Sequence, residues 1–378
     1  MEELIMAIGA YTDKHNENPK PFIWTAKAAW MAARKREREF LFSSRENQEM
    51  IQPTRRALLS TAAGSLAVAS ASPAPAGKPK IGCTSWAFHT FAPGQDPEPA
   101  IAKIGELGFD TVELVINTKP DLTAFWTGAK IAAILKKIDQ YKLGISQMAM
   151  FQPVVEGLTS TNREERGRNL DAFEAGCKIA RQLGAPVVNI VAPWARELKG
   201  PSDYLPRYYE IAEPKPGEKF HIDIAPGFDW DALWDAYVRI TKECLQRAKA
   251  HGLKFSLEHH THTMIPDTAS FLRLWDAIRD PAFGINLDIG WIAAVREYPP
   301  VAIHKVRQHL LHLHARDIDG LMRRFPHIGQ GVMDLKAVAD TLKQIGYTGA
   351  VSLEQDKHPG DMTQTCRNYL RMMRQHLG

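Results

Sequence analysis

The chain has 378 residues, 44% of them hydrophobic and 24% charged, with a formal net charge of +4. This balance describes a soluble globular protein with a sizeable core, and the basic excess is too small and too scattered for a nucleic-acid footprint. No apolar run reaches the ~20 residues of a membrane-spanning helix, and Cys83, Cys177, Cys244 and Cys366 lack zinc-site spacing; they read as buried thiols, with disulfides left open.

Residues 1–49 form an extension expected to be disordered or helical. Within residues 10–26, the stretch His15-Asn16-Glu17-Asn18-Pro19-Lys20-Pro21-Phe22-Ile23-Trp24-Thr25 resembles the C-terminal tail of a family of insertion-sequence transposases. It carries none of a transposase's catalytic carboxylates, so the resemblance implies no activity. Residues 50–77 then present paired Arg55-Arg56, an Ala- and Leu-rich apolar stretch, and a run of small residues and prolines. That order describes an export signal, with a disordered linker as the alternative. The adjacent arginines make it resemble a twin-arginine signal, which implies export of an already folded protein. A start at Met50 implies a periplasmic destination, and retention of the extension a cytoplasmic one.

From residue 78 to 378, short β-branched or apolar runs alternate with long amphipathic stretches, the pattern of βα units around a parallel sheet. The expected strands are Ile81–Trp86, Thr111–Val115, Gly144–Met148, Val187–Val191, Lys254–Glu258, Gly284–Asp288, Leu310–His314 and Ala350–Glu354. Helices are expected over Glu164–Gln182, Asp231–His251 and Leu335–Ile345, where apolar residues recur every three or four positions. Turns at Gly108, Gly184, Gly252 and Gly346 precede strands. No GxGxxG loop follows the first strand, so a closed (β/α)8 TIM barrel of the α/β class is expected rather than a doubly wound sheet. The long connection from Ala192 to Asp229, rich in Pro, Tyr and Trp, reads as a lid over the site or as an oligomer contact.

Glu258, Asp288, His314 and Glu354 each close one of the last four strands, and the C-terminal ends of barrel strands share one mouth. A carboxylate at the end of an apolar strand costs several kcal/mol unless something neutralises it. One divalent cation would do so for all of them. Three carboxylates and one imidazole suit Mn²⁺ first, then Mg²⁺ or Co²⁺, with Zn²⁺ compatible.

These residues lie in Leu257-Glu258-His259-His260, Leu287-Asp288-Ile289-Gly290, His312-Leu313-His314-Ala315-Arg316-Asp317 and Leu353-Glu354, accompanied by Gly329-Gln330-Gly331. The set resembles the LExH, LDxGH, HxHxKD, GxG and LE patterns of the xylose-isomerase-like superfamily of sugar-phosphate isomerases and epimerases. The resemblance implies metal ligation by Glu258, Asp288, His314 and Glu354, with Glu258 and Glu354 doubling as the catalytic acid/base pair. It further implies that His260 touches substrate, and that Arg316 stands where the family often has Lys. Arg316 is placed to bind a hydroxyl or a phosphate, or to pair with Asp317. His312 is assigned to packing or to supporting the ligands. Trp86 and Trp194 are candidate apolar walls for a sugar ring. Trp291 replaces a histidine common in the family and offers a stacking face, and Gln330 puts an amide where an acid is frequent. Both departures point away from a small free ketose and toward a glycoside or larger derivative.

The expected function is therefore metal-dependent isomerisation or epimerisation of a sugar or sugar derivative, by proton transfer through an enediolate. An exported keto-glycoside lyase or hydrolase using the same metal, and a non-catalytic sugar-binding protein, are the alternatives. A multi-zinc nuclease would need further His and Asp ligands. Barrels of this kind commonly pair, so a homo-oligomer is compatible with the sequence.

Overall fold

The computed structural model describes residues 77–193, 198–199, 223–224, 226–261, 263–320, 325–355 and 361–378. The extension at 1–49, all of 50–77 but Gly77, and most of the expected lid between Ala192 and Asp229, Trp194 included, lie outside the described residues.

Eight parallel strands close into a barrel: β1 (Lys80–Thr84), β2 (Thr111–Ile116), β3 (Gly144–Met150), β4 (Val187–Val191), β5 (Lys254–Glu258), β6 (Phe283–Asp288), β7 (Leu310–Ala315) and β8 (Ala350–Leu353). Strands pair in sequence order, and β8 returns to β1 with Ile81 opposite Val351. The connecting helices are α1 (Glu98–Leu107), α2 (Gly128–Tyr141), α3 (Arg163–Leu183), α4 (Trp230–Ala250), α5 (Thr268–Ile278), α6 (Ile289–Ala294), α7 (Pro299–Val306), α8 (Leu335–Gln344) and α9 (Met362–Leu377). Among the described residues no helix is long and apolar enough to cross a membrane. The four cysteines are free and buried, so none of the disulfides left open by the sequence is formed.

Local chemistry sets the boundaries. Asp229, Asp267, Asn162 and Asp361 each accept backbone N–H groups at the start of a helix, which satisfies donors the helix itself leaves unpaired. Asp267 and Ser270 complete a reciprocal capping box on α5. At the other end, Gly108 and Gly184 take left-handed conformations with φ of 90° and 74°, turning the chain from α1 and α3 into the next strand. Two strand ends differ from expectation. β1 stops at Thr84 because a 3₁₀ turn, Ser85–Ala87, redirects the chain. β8 stops at Leu353, although the Glu354 N–H still reaches the Ala315 carbonyl at 3.0 Å, an ordinary ladder-bond distance.

The loop after α6 supplies α5 with a second cap. The Glu297 carboxylate accepts from the Thr268 N–H at 3.2 Å and from its hydroxyl at 2.5 Å, and pairs with Lys305 at 2.6 Å. Burial alone would raise this carboxyl, but Lys305 and Thr268 outweigh it and hold it below the usual range. A depressed folded value means the stabilisation is complete above the unfolded pKa of about 4.3 and is lost as pH falls through the folded one. Glu297→Ala is therefore expected to cost about 1–3 kcal/mol near neutrality, with the difference shrinking in acid. Urea unfolding of both proteins at neutral pH and near pH 3 checks this; a gap independent of pH would contradict it.

Candidate metal centre

The strands turn apolar residues outward. Val112, Leu114, Val188, Ile190, Phe255, Leu257, Ile285, Leu313, Val351 and Leu353 join the buried apolar layer between barrel and helices. Side chains alternate along a strand, so the intervening positions face the lumen, and in this protein most of them are polar; Val115 and Ala149, which pack against Trp86, are exceptions. Gln147 Nε2 donates to Glu113 at 2.8 Å, and Ser256 donates to Gln147 at 3.1 Å and to Asn189 at 2.9 Å. The Asn189 and Asn286 amides then donate to Glu258 Oε2 at 3.2 and 3.0 Å. His312 bonds Asn286 Oδ1 at 3.0 Å through Nδ1 and Ser352 at 3.1 Å through Nε2. Two bulges set this phase: β3 gains a residue opposite β2 between Val112 and Leu114, and β7 gains one opposite β6 between Ile285 and Asn286. Bulges of this kind re-aim side chains next to functional sites.

Above this belt, Glu258, Asp288, His314 and Glu354 converge, with ligand atoms all within 4.8 Å of one another and every residue buried. His314 Nδ1 lies 2.8 Å from Glu354 Oε2 and 3.4 Å from Glu258 Oε1. Asp288 has two roles: its Oδ1 caps α6 by accepting from the N–H groups of Gly290 and Trp291, and its Oδ2 meets Arg316 at 2.5 Å. Arg316, 2% exposed, also bonds Glu354 through the same Nη2 and lies over the Phe325 ring at 5.3 Å.

Burial pushes each of these carboxyls up, and neighbouring charges decide the outcome. At Glu258, His314 and His260 outweigh burial and hold the carboxyl well below its usual range; at Glu354, Arg316 and His314 do the same. Burial prevails at Asp288 despite Arg316, and at Glu113 despite His314. His314 is driven well above an ordinary imidazole: burial opposes this, but Glu354, Glu113 and Glu258 win. Burial and the nearby His314 drive His312 well down, so it is neutral and its 3.6 Å approach to Glu113 is no ion pair. Four buried carboxyls, those of Glu113, Glu258, Asp288 and Glu354, thus face one guanidinium and the imidazoles of His314 and His260. A hard divalent cation fits both the surplus of negative charge and the oxygen-rich donor set.

The residues expected to contact substrate are placed unevenly. His260 Nε2 lies 3.2 Å from Glu258 Oε1, and its ring stands 4.4 Å from that of Trp291. Trp86, expected as a candidate wall for a sugar ring, lies beside the cluster: its Nε1–H donates to Glu354 Oε1 at 3.2 Å. Its other side meets Phe91, which stacks on Phe151 at 4.2 Å. The alternative pairing of Arg316 with Asp317 is overturned. The Asp317 carboxylate accepts the N–H groups of Ile318, Gly329, Gly331 and Met333 at 2.9–3.1 Å, and so clamps the Gly329-Gln330-Gly331 loop. Glu113, Gln147, Asn189 and Asn286 were not anticipated. Glu113 was marked in the sequence as a lone charge within the apolar run Thr-Val-Glu-Leu-Val-Ile, whereas neutral amides inside strands carry no comparable signal.

Residues 101–376 match the family described as Xylose isomerase-like TIM barrel. The L-ribulose-5-phosphate 3-epimerase of Escherichia coli (strain SMS-3-5 / SECEC) is 21% identical over 252 residues, covering 66% of this chain and 78% of that protein. Among solved structures, apo 3-keto-D-glucoside 4-epimerase from E. coli superposes with a TM-score of 0.60 at 20% identity, over 79% of this chain and 100% of that one. D-Psicose 3-epimerase from Clostridium cellulolyticum H10, solved with D-tagatose, gives 0.62 at 17% identity, over 79% and 99%. These likenesses fix the fold, and the strand-end cluster is what this chain places on it.

Proposed function

We propose that this chain, which belongs to the xylose-isomerase-like TIM barrel family, is a divalent-metal-dependent sugar isomerase or epimerase. The observation that carries this reading is the convergence of Glu258, Asp288, His314 and Glu354 at the ends of neighbouring strands. Sugar epimerases among its relatives and structural neighbours support it. Those four residues would hold the ion, with Mn²⁺ the first choice for this donor set. The ion would supply the positive charge that polarises a sugar carbonyl and a neighbouring hydroxyl.

The protein's own groups account for the proton. Two amides fix Glu258 Oε2, which leaves Oε1 beside His260. Trp86 and Arg316 hold the two oxygens of Glu354. Each carboxylate is thus aimed, and the neighbouring charges pull each carboxyl below its usual range, which favours the base role. One glutamate removes the proton next to the carbonyl to give an enediolate. Return from the opposite glutamate, which must enter the step carrying a proton, inverts that carbon, and return to the adjacent carbon moves the carbonyl instead. His260 with Trp291, and Trp86 with Phe91, are the aromatic groups that would flank a bound sugar, which suits a ring with an apolar face.

Trp291 favours a second reading within the same chemistry, in which the substrate is a keto-glycoside and the enediolate expels a β-substituent. Metal analysis coupled to deuterium incorporation from D₂O into ketoses, aldoses and 3-keto-glycosides separates the cases. We expect about one equivalent of metal per chain and exchange that a chelator abolishes. A protein with neither metal nor exchange, yet able to bind sugar, would make a binding protein the better account.

A further inference from the structure

We propose that Glu113 is a positioning residue for the metal centre: its carboxylate accepts the Nε2–H of His314 across the lumen and so presents Nδ1 to the ion. The inference rests on the metal-centre reading above.

The two nitrogens of His314 face different partners. Nε2 lies 2.8 Å from Glu113 Oε2, while Nδ1 faces the carboxylates of Glu354 and Glu258. β2 and β7 are not neighbours in the barrel, so the Glu113 contact spans the lumen rather than a ladder. The Asn286 amide lies 3.2 Å from Nδ1 and 3.3 Å from Nε2; being equidistant, it does not choose between them. Glu113 does choose: its Oε2 lies within hydrogen-bond distance of Nε2, and a carboxylate oxygen that accepts there requires that nitrogen to carry the proton. The outer partner of a ligating histidine sets its tautomer and ring orientation in this way.

Glu113 is itself held. Its other oxygen accepts from Gln147 at 2.8 Å, and Gln147 is oriented in turn by the Ser256 hydroxyl. The β3 bulge falls opposite Glu113 and brings Gln147 to face it. All of β2 is buried, and a carboxylate in such a strand is costly unless it has fixed partners. A second ion between Glu113, His312 and His314 is the competing use of these residues. His312 already engages Asn286 through Nδ1 and Ser352 through Nε2, and so has no nitrogen to offer one.

The test uses the full chain and its Glu113→Gln and Glu113→Ala variants. Manganese affinity, measured by competition with a chelator, is expected to fall roughly 10–100-fold in both. In zinc-loaded, ¹⁵N-histidine-labelled wild type, His314 is expected to show a metallated Nδ1 and a protonated Nε2, and this fixed pattern is expected to be lost in Glu113→Ala. Unchanged manganese affinity in both variants overturns the proposal, as does metallation of wild-type His314 through Nε2. If the variants fail to fold, the wild-type nitrogen assignment decides alone. A wild type that takes up neither ion overturns the metal-centre reading and this inference together, whereas one that binds while its variants match it overturns only the inference.

Discussion

Glu258→Gln and Glu354→Gln are each expected to lower net epimerisation by about 10²–10⁴-fold, the usual contribution of a positioned acid/base group. The amide keeps the volume and much of the hydrogen bonding but cannot take a proton. The two variants are expected to differ from each other in a diagnostic way. With one glutamate left, the remaining base can still remove and return a proton on its own face. Each variant should therefore wash deuterium into only one epimer, the two variants choosing opposite epimers, while interconversion is lost in both. Mass spectrometry of each pure epimer after incubation in D₂O reads this directly. Exchange of both epimers by either variant would remove that glutamate from the acid/base pair.

Replacing Arg316 by leucine is expected to destabilise the metal-free protein by about 3–5 kcal/mol, the range for breaking a buried ion pair from one side. The guanidinium is the single fixed cation against Asp288 and Glu354 among the described residues, and its loss leaves both facing Glu258 as well. A divalent ion at the same carboxylates would relieve much of that repulsion, so the loss should be markedly smaller in saturating manganese. Urea denaturation of wild type and Arg316→Leu, with chelator and with manganese, gives the four values needed. Equal losses in both conditions would mean that Arg316 and the ion do not act on the same charges.

The sequence made the strands legible because each is an apolar run between turn signals. It also made the convergence of Glu258, Asp288, His314 and Glu354 legible, because charged and imidazole groups at equivalent ends of such runs have few purposes. Glu113 carried a similar mark but sat inside its strand, where no end-of-strand logic applied. The pairing of Arg316 went unseen for a different reason. Its partners Asp288 and Glu354 lie 28 and 38 positions away, and the sequence offered Asp317 next door. Neighbours on an extended chain point to opposite faces, however, so Arg316 turns inward while Asp317 turns to the loop. The amide belt had no charge to announce it, and its partners come from strands that only the closed barrel brings together.

The last strand has a consequence for the order in which the molecule is made. β8 bridges β7 and β1, and Glu354 follows it directly. A chain still short of that segment is a seven-stranded ribbon whose first and last strands expose unpaired backbone groups, the template on which chains associate with one another. It also lacks one of the four groups that meet at the mouth. Closing the sheet and completing the four-residue cluster would thus be a single late event in synthesis, and incomplete copies should be both unable to retain the proposed ion and prone to clump.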